Sequence, residues 1–241
     1  MSLRLGSNLF EGREPLINYD FIDIADGTGY VTYYGAGANG GSYITTPNSN
    51  TQSEYIKTIT EGQSVATTLT KYFDIDFDIT FSTPKNIKGD ILINVPIGIA
   101  AASTTGEDFS WQVKTSAYHY DGTTETQMGS EATSPIYTIN NLQSDVELVA
   151  RMSNNALLKI SQTSVQHFKA GEILRITVEG WFRTDEGGAT TADIGIAHDP
   201  SNRDDYDEEP DEPATNSKRQ QIIVTGQPTR LSIQVPFKLD I

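Results

Sequence analysis

The chain has 241 residues, 32 acidic against 17 basic side chains, a formal net charge of −15 and no cysteine. That balance excludes a protein that coats nucleic acid, because phosphate binding needs clustered Lys and Arg. The lack of cysteine excludes a disulfide framework, and no stretch approaches the ~20 apolar residues that span a bilayer as a helix, so no membrane partner is expected.

Residues 1–15 carry Arg4, Glu11, Arg13 and Glu14 and no apolar run of the kind a secretory leader needs, so folding in a cytoplasm is the expectation. From there to residue 62 the chain reads as an N-terminal strand-and-loop segment or arm. Short strand-like pieces at 16–24, 30–34, 43–46 and 55–59 are separated by Asp26-Gly27, the glycine-rich run 35–41 and the turn 47–50. Glycine and Asn/Asp supply the positive-φ positions that tight connections need.

Residues 63–241 carry stronger strand signals and read as a β-sandwich domain, unless the whole chain is one domain. Phe73, Ile75, Phe77, Ile79 and Phe81 alternate with Asp74, Asp76, Asp78, Thr80 and Ser82. Successive strand residues point to opposite faces, so this is a long strand with one buried and one wet face. Further strands are predicted at 91–99, 111–120, 136–139, 156–162, 173–182, 192–197, 220–225 and 231–241. The last again alternates without error. The nearest approach to a helical period is the short run 145–152. Strands at such spacing, with turn residues between them, predict an all-β, antiparallel, jelly-roll-like sandwich. The segments 93–99 and 233–239 echo each other, down to a proline at Pro96 and Pro236. Proline cannot donate to a ladder, so both are expected on edge strands, at bulges or with the missing donor outward. Two equivalent edges, one per sheet, would account for the echo.

Catalytic residues are not apparent. His119, His167 and His198 show no i+2 or i+4 pairing, the run 62–66 lacks the second glycine of a nucleophile elbow, and no carboxylate pair stands out among the acids. The expectation is a protein that is not an enzyme and needs no cofactor. One candidate cation site is the loop 199–212, with eight carboxylates against Arg203 alone. Ca²⁺ takes six to eight oxygens, and Asp199, Asp204, Asp205 and Asp207 are the candidate ligands, although EF-hand spacing is absent and the competing reading is a plain solvated loop. Asp74, Asp76 and Asp78 put carboxylates about 7 Å apart on one strand face, a candidate partner contact. Tyr118, Tyr120 and Trp181 are candidate exposed rings for stacking a glycan.

The runs Asp26 to Tyr30, His167 to Gly180, Ile194 to Arg203 and Val235 to Leu239 resemble β-rich, jelly-roll-like virion structural proteins of tailed viruses, many of them marine. The resemblance covers about a quarter of the chain and carries over no catalytic residue. It implies a jelly-roll-like subunit of a virion, made in the host cytoplasm, and does not say which part; the expectation is a capsid decoration or cement subunit. Its partners would be further copies of itself, taken as a trimer, and other capsid or tail proteins. The alternative is a tail or baseplate adhesin that recognises glycans.

Overall fold

A computed structural model of the chain describes residues 17–18, 28–38, 42–51, 53, 57–101, 107–142, 150–184, 191–204, 222–224 and 226–238. These contain thirteen strands and, among the described residues, no helix: β1 (Ile17–Asn18), β2 (Thr28–Ala38), β3 (Ser42–Thr46), β4 (Lys57–Ser64), β5 (Thr70–Thr80), β6 (Lys85–Ala101), β7 (Glu107–Tyr120), β8 (Glu125–Thr133), β9 (Tyr137–Leu142), β10 (Ala150–Phe168), β11 (Ile173–Thr184), β12 (Thr191–Ala197) and β13 (Ser232–Lys238). They form one mostly antiparallel sheet in the order β4-β12-β6-β13-β2-β3-β5-β11-β7-β8. β1 lies on β2, β10 on β6 and β9 on β7. The one parallel contact among the described strands joins β3 to β5, with Ile44 opposite Asp78.

The sheet turns over at that junction, so that its two halves face each other. Tyr43 of β3 meets Phe77 of β5 with ring centroids 5.5 Å apart, and Phe81, just past β5, meets Phe168 of β10 at 5.1 Å and Phe237 of β13 at 5.8 Å. At the far ends β8 reaches β10, so closely that a Cβ on Gly129 would lie 2.6 Å from the carbonyl oxygen of Ser161. The result is the antiparallel, jelly-roll-like sandwich that the alternation predicts. Strands from both parts of the chain share it, β2 pairing with β13 and β4 with β12.

The inner faces are apolar because the period is 2. On β5, Phe73, Ile75, Phe77 and Ile79 are buried; on β11, Leu174, Ile176, Val178 and Phe182 are buried. β6 obeys this rule for only half its length. From Val95 to Ala101 it is buried on both faces, because residues 222–224 lie across its outer surface. Ile222 and Ile223 form a second apolar cluster there with Ala100 and Ala197, and the Val224 N–H donates to Ser153 Oγ at 3.1 Å. The expectation of a strand over 220–225 is therefore corrected: its described residues, 222–224, are an apolar strap outside the ladder. Ile222 and Ile223 share the composition of a strand, and only what they pack against distinguishes the two.

One further expectation is corrected. The proline-bearing segments are not two separate edges but neighbours, Ile93 lying opposite Ile233 in the antiparallel β6–β13 pair. Along that edge β6 pairs with β13 up to Asn94 and with β12 from Ile97, and Pro96 falls in the gap between them. Pro236 sits where the β13–β6 register shifts between Gln234 and Phe237, the bulge position where a missing N–H interrupts least. Strand β8 has no counterpart in the sequence reading, since only Met128 and Ala132 of its nine residues are turned away from solvent. The run 145–152 is described only from residue 150, where β10 begins.

The strap explains Gly98. A Cβ at this position would lie 1.9 Å from the Ile222 carbonyl oxygen, so Gly98→Ala must push the strap off β6 or distort the strand. The expected cost is about 1–3 kcal/mol, read as a lowered urea midpoint with a nearly unchanged slope.

Candidate functional site

Asp74, Asp76 and Asp78 on β5 and Tyr118, Tyr120 and Trp181 on β7 and β11 turn out to share one surface, the outer face of the β5–β11–β7–β8 layer. Register places them. Asp78 lies opposite Arg175, Asp76 opposite Thr177 and Asp74 opposite Glu179. On the other side of β11, Arg175 is opposite Tyr118, Thr177 opposite Ser116 and Glu179 opposite Lys114.

The face is laced by ion pairs within the chain. Arg175 donates to both oxygens of Asp78, Nε at 2.8 Å and Nη2 at 2.9 Å, and reaches Asp76 at 3.7 Å and Glu125 at 3.3 Å. Thr177 donates to Asp76 at 2.6 Å. Lys71 bonds Asp74 at 2.8 Å and Glu179 at 3.0 Å. Hydrogen bonds to Asp78 hold the Arg175 guanidinium more firmly in its charged form, and those to Asp74 and then Glu179 do the same for Lys71. The Asp stripe is thus answered by β11 and by Lys71; Lys238, on β13 in the other half of the sheet, is not involved.

The rings lie at opposite ends of this face. Six residues separate the Trp181 and Arg175 rungs, about 20 Å along a strand. Each of two rings is covered by a cation: Lys114 Nζ is 4.4 Å from the Trp181 ring centroid and the Arg175 guanidinium 5.5 Å from that of Tyr120. The Trp181 N–H donates to Glu179 at 2.8 Å, and the Tyr120 hydroxyl donates to the Gly122 carbonyl at 3.0 Å. Tyr118, Tyr120 and Trp181 are half-buried and do not line one groove.

The acidic loop begins on the rim beside β3 and β4. Asp199 is fully buried; its Oδ2 accepts from the Arg203 backbone N–H at 2.7 Å and from Arg203 Nε at 3.0 Å. Arg203 also donates to the Ser53 carbonyl, and the side chain of Asn202 accepts from the backbone of Thr229 and Arg230. Asp199 therefore organises the turn that starts the loop. Asp204 is exposed, whereas Asp205 and Asp207 lie outside the described residues. Among the described residues no group of three or more His, Asp or Glu side chains is placed to hold a metal ion.

Sequence reasoning gave no role to two histidines that the fold buries in different ways. His119 donates or accepts on both ring nitrogens, Nε2 to Glu172 at 2.8 Å and Nδ1 to Gln166 at 2.9 Å, with its ring on Phe168. The backbone N–H of Lys169, followed by His119, holds the Glu172 carboxyl below its usual range. His198 is fully buried beside Tyr43 and Phe77. Thr58 donates to the Tyr43 hydroxyl at 3.0 Å and meets His198 Nε2 at 2.7 Å. Thr58 has one proton, so the His198 Nε2–H supplies the other bond, and burial of the ring favours its neutral form. Burial pushes His198 down to about 4.

No protein-family model matches the chain, and no curated protein matches its sequence. Among solved structures it is similar to a CocE/NonD family hydrolase from Staphylococcus aureus, with 11% identity over 85% of this chain and 41% of that one and a TM-score of 0.34. It is similar also to infectious bursal disease virus, Gx strain, with 12% identity, 84% and 44% coverage and a TM-score of 0.19. For the VP2 subviral particle of that virus the values are 11%, 84%, 45% and 0.20. The chain spans less than half the length of each. At these scores the likenesses assign neither family nor activity.

Two outcomes are expected. Arg175→Gln should cost about 1 kcal/mol of stability, and the gap from wild type should narrow in high salt, measured by thermal melts at two ionic strengths. His198 has a folded value near 4 against an ordinary 6.5, so the unfolded chain binds its proton first. Its contribution is complete above pH 6.5, is lost as pH falls towards 4, and amounts to about 3 kcal/mol at most. The difference between wild type and His198→Phe in urea melts at pH 7 and pH 4.5 isolates it.

Proposed function

We propose that the protein is a non-enzymatic structural subunit of a virion, a decoration or cement protein that works through contacts with further copies of itself and with other shell proteins. The observation that carries this reading is the outer face of the β5–β11–β7–β8 layer. Its charges stand at fixed register and are paired within the chain by Arg175, Lys71 and Thr177. Surfaces of that kind dock onto complementary surfaces, and pairing in advance lowers the cost of ordering long side chains on contact. The acidic balance of the chain favours basic patches as the opposing surface. The sequence resemblance to virion structural proteins points the same way.

The glycan-adhesin reading draws on the half-exposed Trp181 ring. It would have to use the ring face that Lys114 leaves open, or displace that cation. The acidic loop enters as a proposed Ca²⁺ site only through residues beyond the Asp199 turn, since Asp199 is engaged with Arg203.

Imaging of the intact assembly tests the proposal. The expected result is this chain repeated on the capsid lattice. A chain found only at a tail tip, with Trp181→Ala abolishing cell attachment, would replace it with the adhesin reading.

A further inference from the structure

Among the described residues β5 is paired along its full length on one edge only. From Thr70, opposite Phe182, to Thr80, opposite Ile173, its ladder with β11 is continuous apart from one shift beside Gly180. On the opposite edge the described residues give it a single bridge, Ile44 to Asp78, with the Thr45 hydroxyl donating to the Asp78 carbonyl at 2.7 Å. Phe73 to Phe77 have no ladder partner on that side among the described residues. Every second residue of this stretch therefore has a backbone N–H and C=O with no ladder partner among the described residues on that edge, which is the requirement for β-augmentation.

The side chains choose the occupant. The outer face of the open stretch carries Asp74 and Asp76, whose side chains keep 46% of their exposure despite their bonds to Lys71 and Thr177. The inner face carries Phe73, Ile75 and Phe77, all buried. A strand added here would place alternate residues beside the carboxylates and the others beside the apolar rim. A second copy of β5 would set Asp against Asp, and like charges directly opposite are destabilising. The same carboxylates that keep two copies apart favour a strand with cations on its outer face.

We propose that the Phe73–Phe77 edge of β5 accepts an extended segment of a partner protein in which Lys or Arg alternates with β-branched apolar residues. The edge is an inference from the pairing of β5; only the identity of the partner as another virion protein rests on the function proposed above. The mode is antiparallel or parallel strand addition, with main-chain bonds supplying the affinity and the Asp74–Asp76 stripe the selectivity.

Hydrogen exchange of the full chain, resolved to single amides, tests it with two synthetic heptapeptides, one alternating Lys with Val and one alternating Glu with Val. The expected result is that alternate amides of Phe73–Phe77 exchange fast in the free protein and slow by about tenfold or more with the Lys peptide only. Asp74→Asn/Asp76→Asn should remove most of that protection while leaving the exchange of Ile176 and Val178 in β11 unchanged. Asp74→Lys/Asp76→Lys should transfer the protection to the Glu peptide, provided those β11 amides again keep their wild-type rates. Three results would overturn the proposal: edge amides already as slow as those of β11, no protection by the Lys peptide, or equal protection by both peptides. None depends on whether imaging finds the chain on a lattice, so the two readings fail separately.

Discussion

The register between β5 and β11 is the constraint on which the rest of this structure depends. Arg175 faces Asp78 and Thr177 faces Asp76 on one side of the pair, while Phe77 meets Ile176 and Ile75 meets Val178 on the other. Because the strand period is 2, a slip of β5 by one residue against β11 would carry the Asp stripe into the core, away from Arg175, and bring Phe77 and Ile75 out to water. Desolvating even one of those charges without its partner costs several kcal/mol, far above the value of the surface pair itself. The salt bridges thus matter less for their own stabilisation than for the alternatives they penalise. β7 inherits the same register through β11, and the Phe81, Phe168 and Phe237 rings then bring the two layers together.

This origin shapes the surface on which a function can be built. On this face of paired charges the aromatic rings are already engaged: Lys114 lies over Trp181 and Arg175 over Tyr120. Such a face suits docking better than enclosure of a small ligand. The interior polar groups take part in holding elements together. His198, Thr58 and Tyr43 join β12's end to β3 and β4, and Asp199, Arg203 and Asn202 fasten the start of the acidic loop to residues 53 and 229–230.

Much of the fold was legible because most of its strands are amphipathic. The alternation of β5, β11 and β13 reads directly as one buried and one wet face, and the structure keeps it except at Pro236, which is buried. β8 escaped notice because an edge strand needs few apolar residues, and Met128 is its only buried one. Ile222 and Ile223 misled in the opposite direction, since apolar composition reports burial rather than the ladder that produces it. Of the candidate site, the Asp stripe and the three rings could be singled out one by one, but nothing local joined them. Their common face arises from pairings between residues as far apart as Asp78 and Arg175.

By itself, then, the sequence determined which residues are inside and which outside along each amphipathic strand, because that choice depends only on side-chain polarity and a period of 2. It determined also the acidic character that disfavours nucleic acid. Tertiary structure alone decided which strands are neighbours. It placed Ile93 against Ile233 instead of on separate edges, laid the 222–224 strap over Gly98, and gave the Asp stripe Arg175 and Lys71 as partners. Those outcomes depend on how the whole sheet turns over on itself, and no window of the chain contains that information.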